Sequence, residues 1–61
     1  MNIPKDPMML MSYINTQLRD NYPSLDELVG SLDIDEKEIR DKLKTVGMEY
    51  DPELNRFIAR G

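Results

Sequence analysis

The chain contains no cysteine, no histidine and no tryptophan. Without cysteine there is no disulfide framework, thiol nucleophile, thiolate zinc site or iron–sulfur cluster. Without histidine it lacks the commonest general base and the commonest metal ligand. Long apolar runs are missing too. The longest, Met8-Met9-Leu10-Met11, falls far short of a membrane span or a secretory h-region, and it follows Asp6-Pro7 rather than a basic stretch. The expected compartment is the cytoplasm, with no membrane partner. Positive charge is scarce: eight Lys and Arg stand against twelve Asp and Glu, for a net charge of −4. That balance disfavours non-specific binding to nucleic acid and to anionic membranes, although a local patch can override it.

What is present is a globular balance, 39% hydrophobic and 33% charged, which separates the chain from disordered sequences. At 61 residues it makes one small domain near the lower limit of independent folding. A compact apolar core, or a partner, must supply the stability that disulfides do not.

Local signals divide the chain into an extended segment over 1–5, three helices over 6–47 and a β-hairpin over 48–59. Pro4 keeps the first segment extended, with Ile3 able to lie on the core. Asp6 is a good N-cap, and Pro7 suits the first helical position because its missing N–H would be unpaired there anyway. Leu10, Ile14 and Leu18, with Met11 alongside, then form one buried stripe, while Ser12, Asn15, Thr16 and Arg19 cover the other side. This helix ends near Asp20 or Asn21, before Tyr22-Pro23.

The second helix opens on a capping box, Ser24-Leu25-Asp26-Glu27, and sets Leu25, Leu28, Val29 and Leu32 on one face. Gly30 and Ser31 limit it to about two turns. The third opens on another box with a different cap, Asp35-Glu36-Lys37-Glu38, with Ile34 and Ile39 placed as a hydrophobic staple. Ile39, Leu43 and Val46 make its core stripe. Gly47 is its expected left-handed terminus, with Met48 placed for a Schellman contact on Leu43. Glu36–Arg40, Lys37–Asp41 and Glu38–Lys42 are three opposite-charge pairs at i,i+4.

After Gly47, aromatic and β-branched residues flank Asp51-Pro52-Glu53-Leu54-Asn55, which reads as a hairpin loop with Tyr50 and Phe57 facing the helices. The rival reading is a fourth helix capped by Asp51, with Leu54, Phe57 and Ile58 on one face. The hairpin is preferred, because little chain remains for a helix.

The expected fold is therefore mainly α: a three-helix bundle with a helix-turn-helix core and a short C-terminal β-hairpin. Leu28, Leu32, Ile34, Ile39, Leu43 and Val46-Gly47 set two short helices across a tight turn, and the layout resembles a winged helix-turn-helix. Two positions depart from that pattern. Asp33 stands at the turn where Gly is frequent, and Val29 where a smaller Ala is usual.

A second resemblance runs end to end. Asn2 through Leu10, Asn15-Thr16-Gln17-Leu18-Arg19-Asp20, Ser24-Leu25-Asp26-Glu27-Leu28, Tyr50 and Asn55-Arg56-Phe57 resemble a family of very short bacterial proteins, domain-of-unknown-function family 4250. The resemblance implies a stand-alone cytosolic bacterial protein. It carries no activity and no functional residues.

Two surfaces are candidates for function. Met8, Met9 and Tyr13 form an apolar flank of the first helix apart from its core stripe, suited to a protein partner or to self-association, since Met adapts to varied surfaces. The bland alternative has Met9 and Tyr13 covering the edge of a small core, with Met8 simply exposed. Lys37, Arg40 and Lys44, at i, i+3 and i+7 on the third helix, form a basic stripe where a recognition helix presents its side chains. Arg56, and Arg60 beyond it, extend that stripe if the hairpin is a wing. Against DNA contact, Asp35, Glu36, Glu38 and Asp41 share the helix and repel phosphate, so a solvated face laced by ion pairs is the stronger reading.

Asp33, Asp35 and Glu36 crowd three carboxylates into four residues, but a calcium site wants a longer loop with a turn glycine. They read as helix-capping acids. Ser12, Ser24 and Ser31 have no histidine to activate them, and so small a core leaves little room for a catalytic cleft. No catalysis, metal, cofactor or small-molecule substrate is expected. The leading functional expectation is a non-catalytic protein-interaction module, and the alternative is a minimal DNA-binding regulator.

Overall fold

The structure, a computed structural model, describes residues 3–60. Met1 and Asn2 of the expected extended segment lie outside the described residues, as does Gly61. Three helices precede one antiparallel hairpin: α1 (Pro7–Asp20), α2 (Leu25–Leu32), α3 (Glu36–Lys44), β1 (Met48–Asp51) and β2 (Arg56–Ala59). The fourth-helix alternative is thereby excluded for 51–60.

Each helix starts where a side chain caps it. The Asp6 carboxylate accepts from the Met9 N–H at 3.1 Å, and Pro7 occupies the first turn. Ser24 Oγ accepts from the Glu27 N–H at 3.2 Å. Asp35 Oδ1 accepts from the Lys37 N–H at 2.9 Å. These bonds satisfy backbone donors that a helix leaves open at its first turn.

The helix ends differ from one another. Asp33 closes α2 in the left-handed region, at φ 55°, and the Ile34 N–H reaches back to the Val29 carbonyl at 3.1 Å. This six-to-one bond is the Schellman pattern, with Asp in the place usually taken by Gly. The end of α3 shares part of this pattern but lacks the six-to-one bond. Its last bonds run three residues back: Thr45 N–H to Lys42, Val46 N–H to Leu43 and Gly47 N–H to Lys44. Gly47 has the expected positive φ, 73°. Met48 packs on the core from β1.

That tightened turn corrects one core assignment. Val46 is 38% exposed. Beyond Lys44 the chain no longer advances at 3.6 residues per turn, so Val46 leaves the stripe of Ile39 and Leu43.

The core consists of Leu10, Ile14, Leu18, Leu25, Leu28, Ile39, Leu43 and Phe57. Ile3, Val29, Leu32, Ile34 and Tyr50 are half-buried around it. In the hairpin Tyr50 pairs with Phe57 and Asp51 with Arg56. The two rings meet at 5.6 Å between centroids, tilted by 54°. The turn is held by Asp51 Oδ1, which accepts from the N–H groups of Glu53 at 2.8 Å and Leu54 at 3.2 Å, and Asn55 completes it at φ 54°. These bonds, that from Leu54 foremost, hold the Asp51 carboxyl below its ordinary pKa.

β1 packs against α3, and β2 against α1. This placement decides which helix each hairpin side chain faces.

Candidate functional site

Three half-buried polar side chains fix the hairpin to the helices. Asn15, expected on the solvent side of α1, accepts from the Phe57 N–H at 2.7 Å and donates to the Phe57 carbonyl at 3.1 Å. Its amide thus takes the place of a neighbouring strand on β2. Asn55 donates to the Leu18 carbonyl at 3.1 Å and the Tyr22 carbonyl at 3.0 Å. Its Oδ1 accepts from the Tyr50 hydroxyl at 2.7 Å, and that hydroxyl accepts from the Leu25 N–H at 3.2 Å. The hairpin therefore satisfies a carbonyl at the end of α1 and an amide at the start of α2, groups that helices leave open.

The α1 flank is divided. Met8 and Met9 are 53% and 63% exposed, whereas Tyr13 is half-buried and packs on the core. Met9 and Tyr13 stand one turn apart on the same side. Met8 lies about 100° around the helix from Met9 and one turn before Ser12.

Lys37, Arg40 and Lys44 all lie exposed on α3, as periodicity predicts. Lys37 Nζ contacts Asp41 at 2.7 Å and Arg40 Nε contacts Glu36 at 2.8 Å, both at i,i+4. The Asp41 carboxylate raises the pKa of Lys37. Arg40 also sits over the Tyr50 ring, 5.6 Å from its centroid. The third expected pair, Glu38–Lys42, is not formed. Among the described residues Lys44 and Arg56 make no ion pair.

Arg56 does not extend the α3 stripe. It begins β2, the strand on the α1 side, and lines a groove with Ser12, Thr16 and Arg19. Arg60 is the hairpin cation that reaches the α3 side, beside Arg40 and Lys44, and it is bound to Asp51 at 3.2 Å.

The crowded carboxylates each have a structural role. Asp33 closes α2, Asp35 caps α3 and Glu36 pairs with Arg40. Among the described residues no group of three or more Asp, Glu, His or Cys is arranged to hold a metal. No helix among them is long and apolar enough to cross a membrane.

Residues 4–57 match the family described as Domain of unknown function (DUF4250). The chain belongs to the DUF4250 family. No curated protein and no solved structure matches it. Asn15, Tyr50, Asn55 and Phe57, four of the residues on which the resemblance to DUF4250 rests, are those that bind the hairpin to the helices. Their bonds to the helices span 25–42 residues of chain and are invisible to local pattern. The available signal was a polar residue, Asn15, directly following the buried Ile14 at the edge of an apolar stripe.

Proposed function

We propose that this DUF4250 protein is a non-catalytic protein-interaction module that uses the start of α1, through Met8 and Met9 with Tyr13 beside them, to bind a protein partner or a second copy of itself. The observation that carries the reading is the exposure of two adjacent methionines, 53% and 63%, at the head of α1. Their flexible, polarizable side chains suit a surface that must adapt to a partner. The composition supports a non-catalytic role, since neither cysteine nor histidine is available as nucleophile or base. A DNA-binding role is less well supported. Two of the three stripe cations on α3 are already neutralised by carboxylates that a phosphate would also meet.

The test places a photo-crosslinking amino acid at position 9 and, as a control, at the exposed position 49 on β1. The expected result is a discrete crosslinked species from position 9 alone, either a dimer of this chain or a complex with one other protein. Equal products from both positions, or none from position 9, would remove α1 as the docking surface.

A further inference from the structure

A groove of about 650 Å³ runs between α1 and the hairpin turn. The half-buried Met11 and buried Leu18 supply apolar surface from α1, and Leu54, 61% exposed, stands on the hairpin side. Its polar lining divides by availability. Asn15 and Asn55 have their amides engaged by Phe57, Leu18, Tyr22 and Tyr50, so they hold the two walls at a fixed spacing. Arg19 is clamped by Asp20 at 2.8 and 3.0 Å. Arg56 has no ion-pair partner among the described residues. The chain carries a net charge of −4, yet this lining contains no carboxylate and, with Arg19 held by Asp20, presents Arg56 as its uncompensated charge.

That local reversal of sign beside apolar surface selects an occupant. We propose that the groove binds a peptide segment of a partner protein in which an apolar side chain adjoins a carboxylate. The apolar side chain packs between Met11 and Leu54, and the carboxylate pairs with Arg56. A guanidinium presents parallel N–H donors that match a carboxylate, and the charge strengthens both bonds. Walls held by internal hydrogen bonds lower the ordering cost of binding. The site requires none of Met8, Met9 or Tyr13, and its test is separate from that of the α1 flank.

The probe is a pool of short peptides blocked at both ends, each with one Leu, Met or Phe among Glu and Asp. A matched pool carries Lys in place of the acids. Both are titrated into the isotope-labelled full chain by NMR. The acidic pool is expected to give saturable shifts at the amides of Ser12, Thr16 and Arg56, and the Lys pool none. Arg56→Glu should weaken binding about tenfold or more, the loss of a charge-assisted contact. Leu54→Ser should weaken it too, while Arg40→Glu, on the α3 side, should leave it unchanged. Both groove substitutions are at exposed positions, and the amide dispersion of the unbound variants reports their folding. Absence of saturable shifts, equal shifts from the Lys pool, shifts centred on α3, or unaltered binding by folded Arg56→Glu would each overturn the proposal. So would groove shifts that follow protein concentration before peptide is added, since a second copy would then be the occupant.

Discussion

Asn15 and Phe57 exchange two hydrogen bonds across 42 residues of chain, at 2.7 and 3.1 Å. The Phe57 ring is buried in the core, so its backbone N–H and carbonyl lie near the interior and need partners. Strand β1 cannot serve them, because these groups are bonded on the α1 side of β2. Truncating Asn15 would leave both half-buried groups without their protein partner. Asn15→Ala is therefore expected to lower the unfolding free energy by about 2 kcal/mol, the cost of orphaning such groups after partial rescue by water. Ser12→Ala, at an exposed position one turn earlier on the helix, should stay within about 0.5 kcal/mol of the parent. Urea denaturation of the two variants measures the difference. Equal, small effects would mean that water replaces the Asn15 amide freely and that the hairpin is not held by it.

At the scale of elements, two glycines separate propensity from conformation. Gly30 lies within α2 on an exposed position, and a Cβ there would meet nothing within 4 Å. Gly30→Ala should stabilise by about 0.5–1 kcal/mol, because Ala loses less backbone freedom on entering a helix. Gly47 has equally open space around it but sits at φ 73°. Gly47→Ala should destabilise by about 1–2 kcal/mol, the steric penalty of the left-handed region. Thermal or urea unfolding of the pair should move in opposite directions; a shift of the same sign in both would refute the conformational account. Gly47 also shows what was legible in the sequence. Helix starts at Asp6, Ser24 and Asp35 could be read because a cap and its target lie two or three residues apart. The apolar stripes could be read while the helical period lasted, and the prediction failed at Val46, where the last turn of α3 tightens. The exposure of Lys37, Arg40 and Lys44 followed from the same period, whereas that of Met9 was left open between a free flank and a cover for the core edge. The position of Arg56 did not, since it depends on β2 lying against α1, a tertiary choice with no local trace. The structural use of Asn15, Tyr50 and Asn55 was hidden for the same reason.

The whole molecule sets the expected element order, three helices and then a hairpin, against a charge distribution that opposes nucleic-acid contact. Lys37, Arg40 and Lys44 lie exposed on α3. Phosphate contact rests on cations free to displace condensed counterions, and each such contact steepens the dependence of affinity on salt. Here Asp41 already holds Lys37, Glu36 holds Arg40, and Arg56 points to the α1 side. Among the described residues Lys44 is the stripe cation without a carboxylate partner, within a molecule of net charge −4. Exposed i,i+4 pairs are worth only about 0.2–0.5 kcal/mol, so the pairs themselves would yield to a phosphate. The carboxylates would nevertheless remain beside it, and their repulsion offsets what the freed cations contribute. Fluorescence anisotropy against a pool of random duplex DNA, repeated at several low salt concentrations, is therefore expected to show no saturable binding. A patch engaging three to five phosphates would instead give a log–log salt slope of roughly −3 to −4.5. If that slope appeared and was abolished by Lys37→Glu and Arg40→Glu, α3 would be a nucleic-acid-binding face despite its acids. A slope left unchanged by those substitutions would place the DNA contacts on other cations.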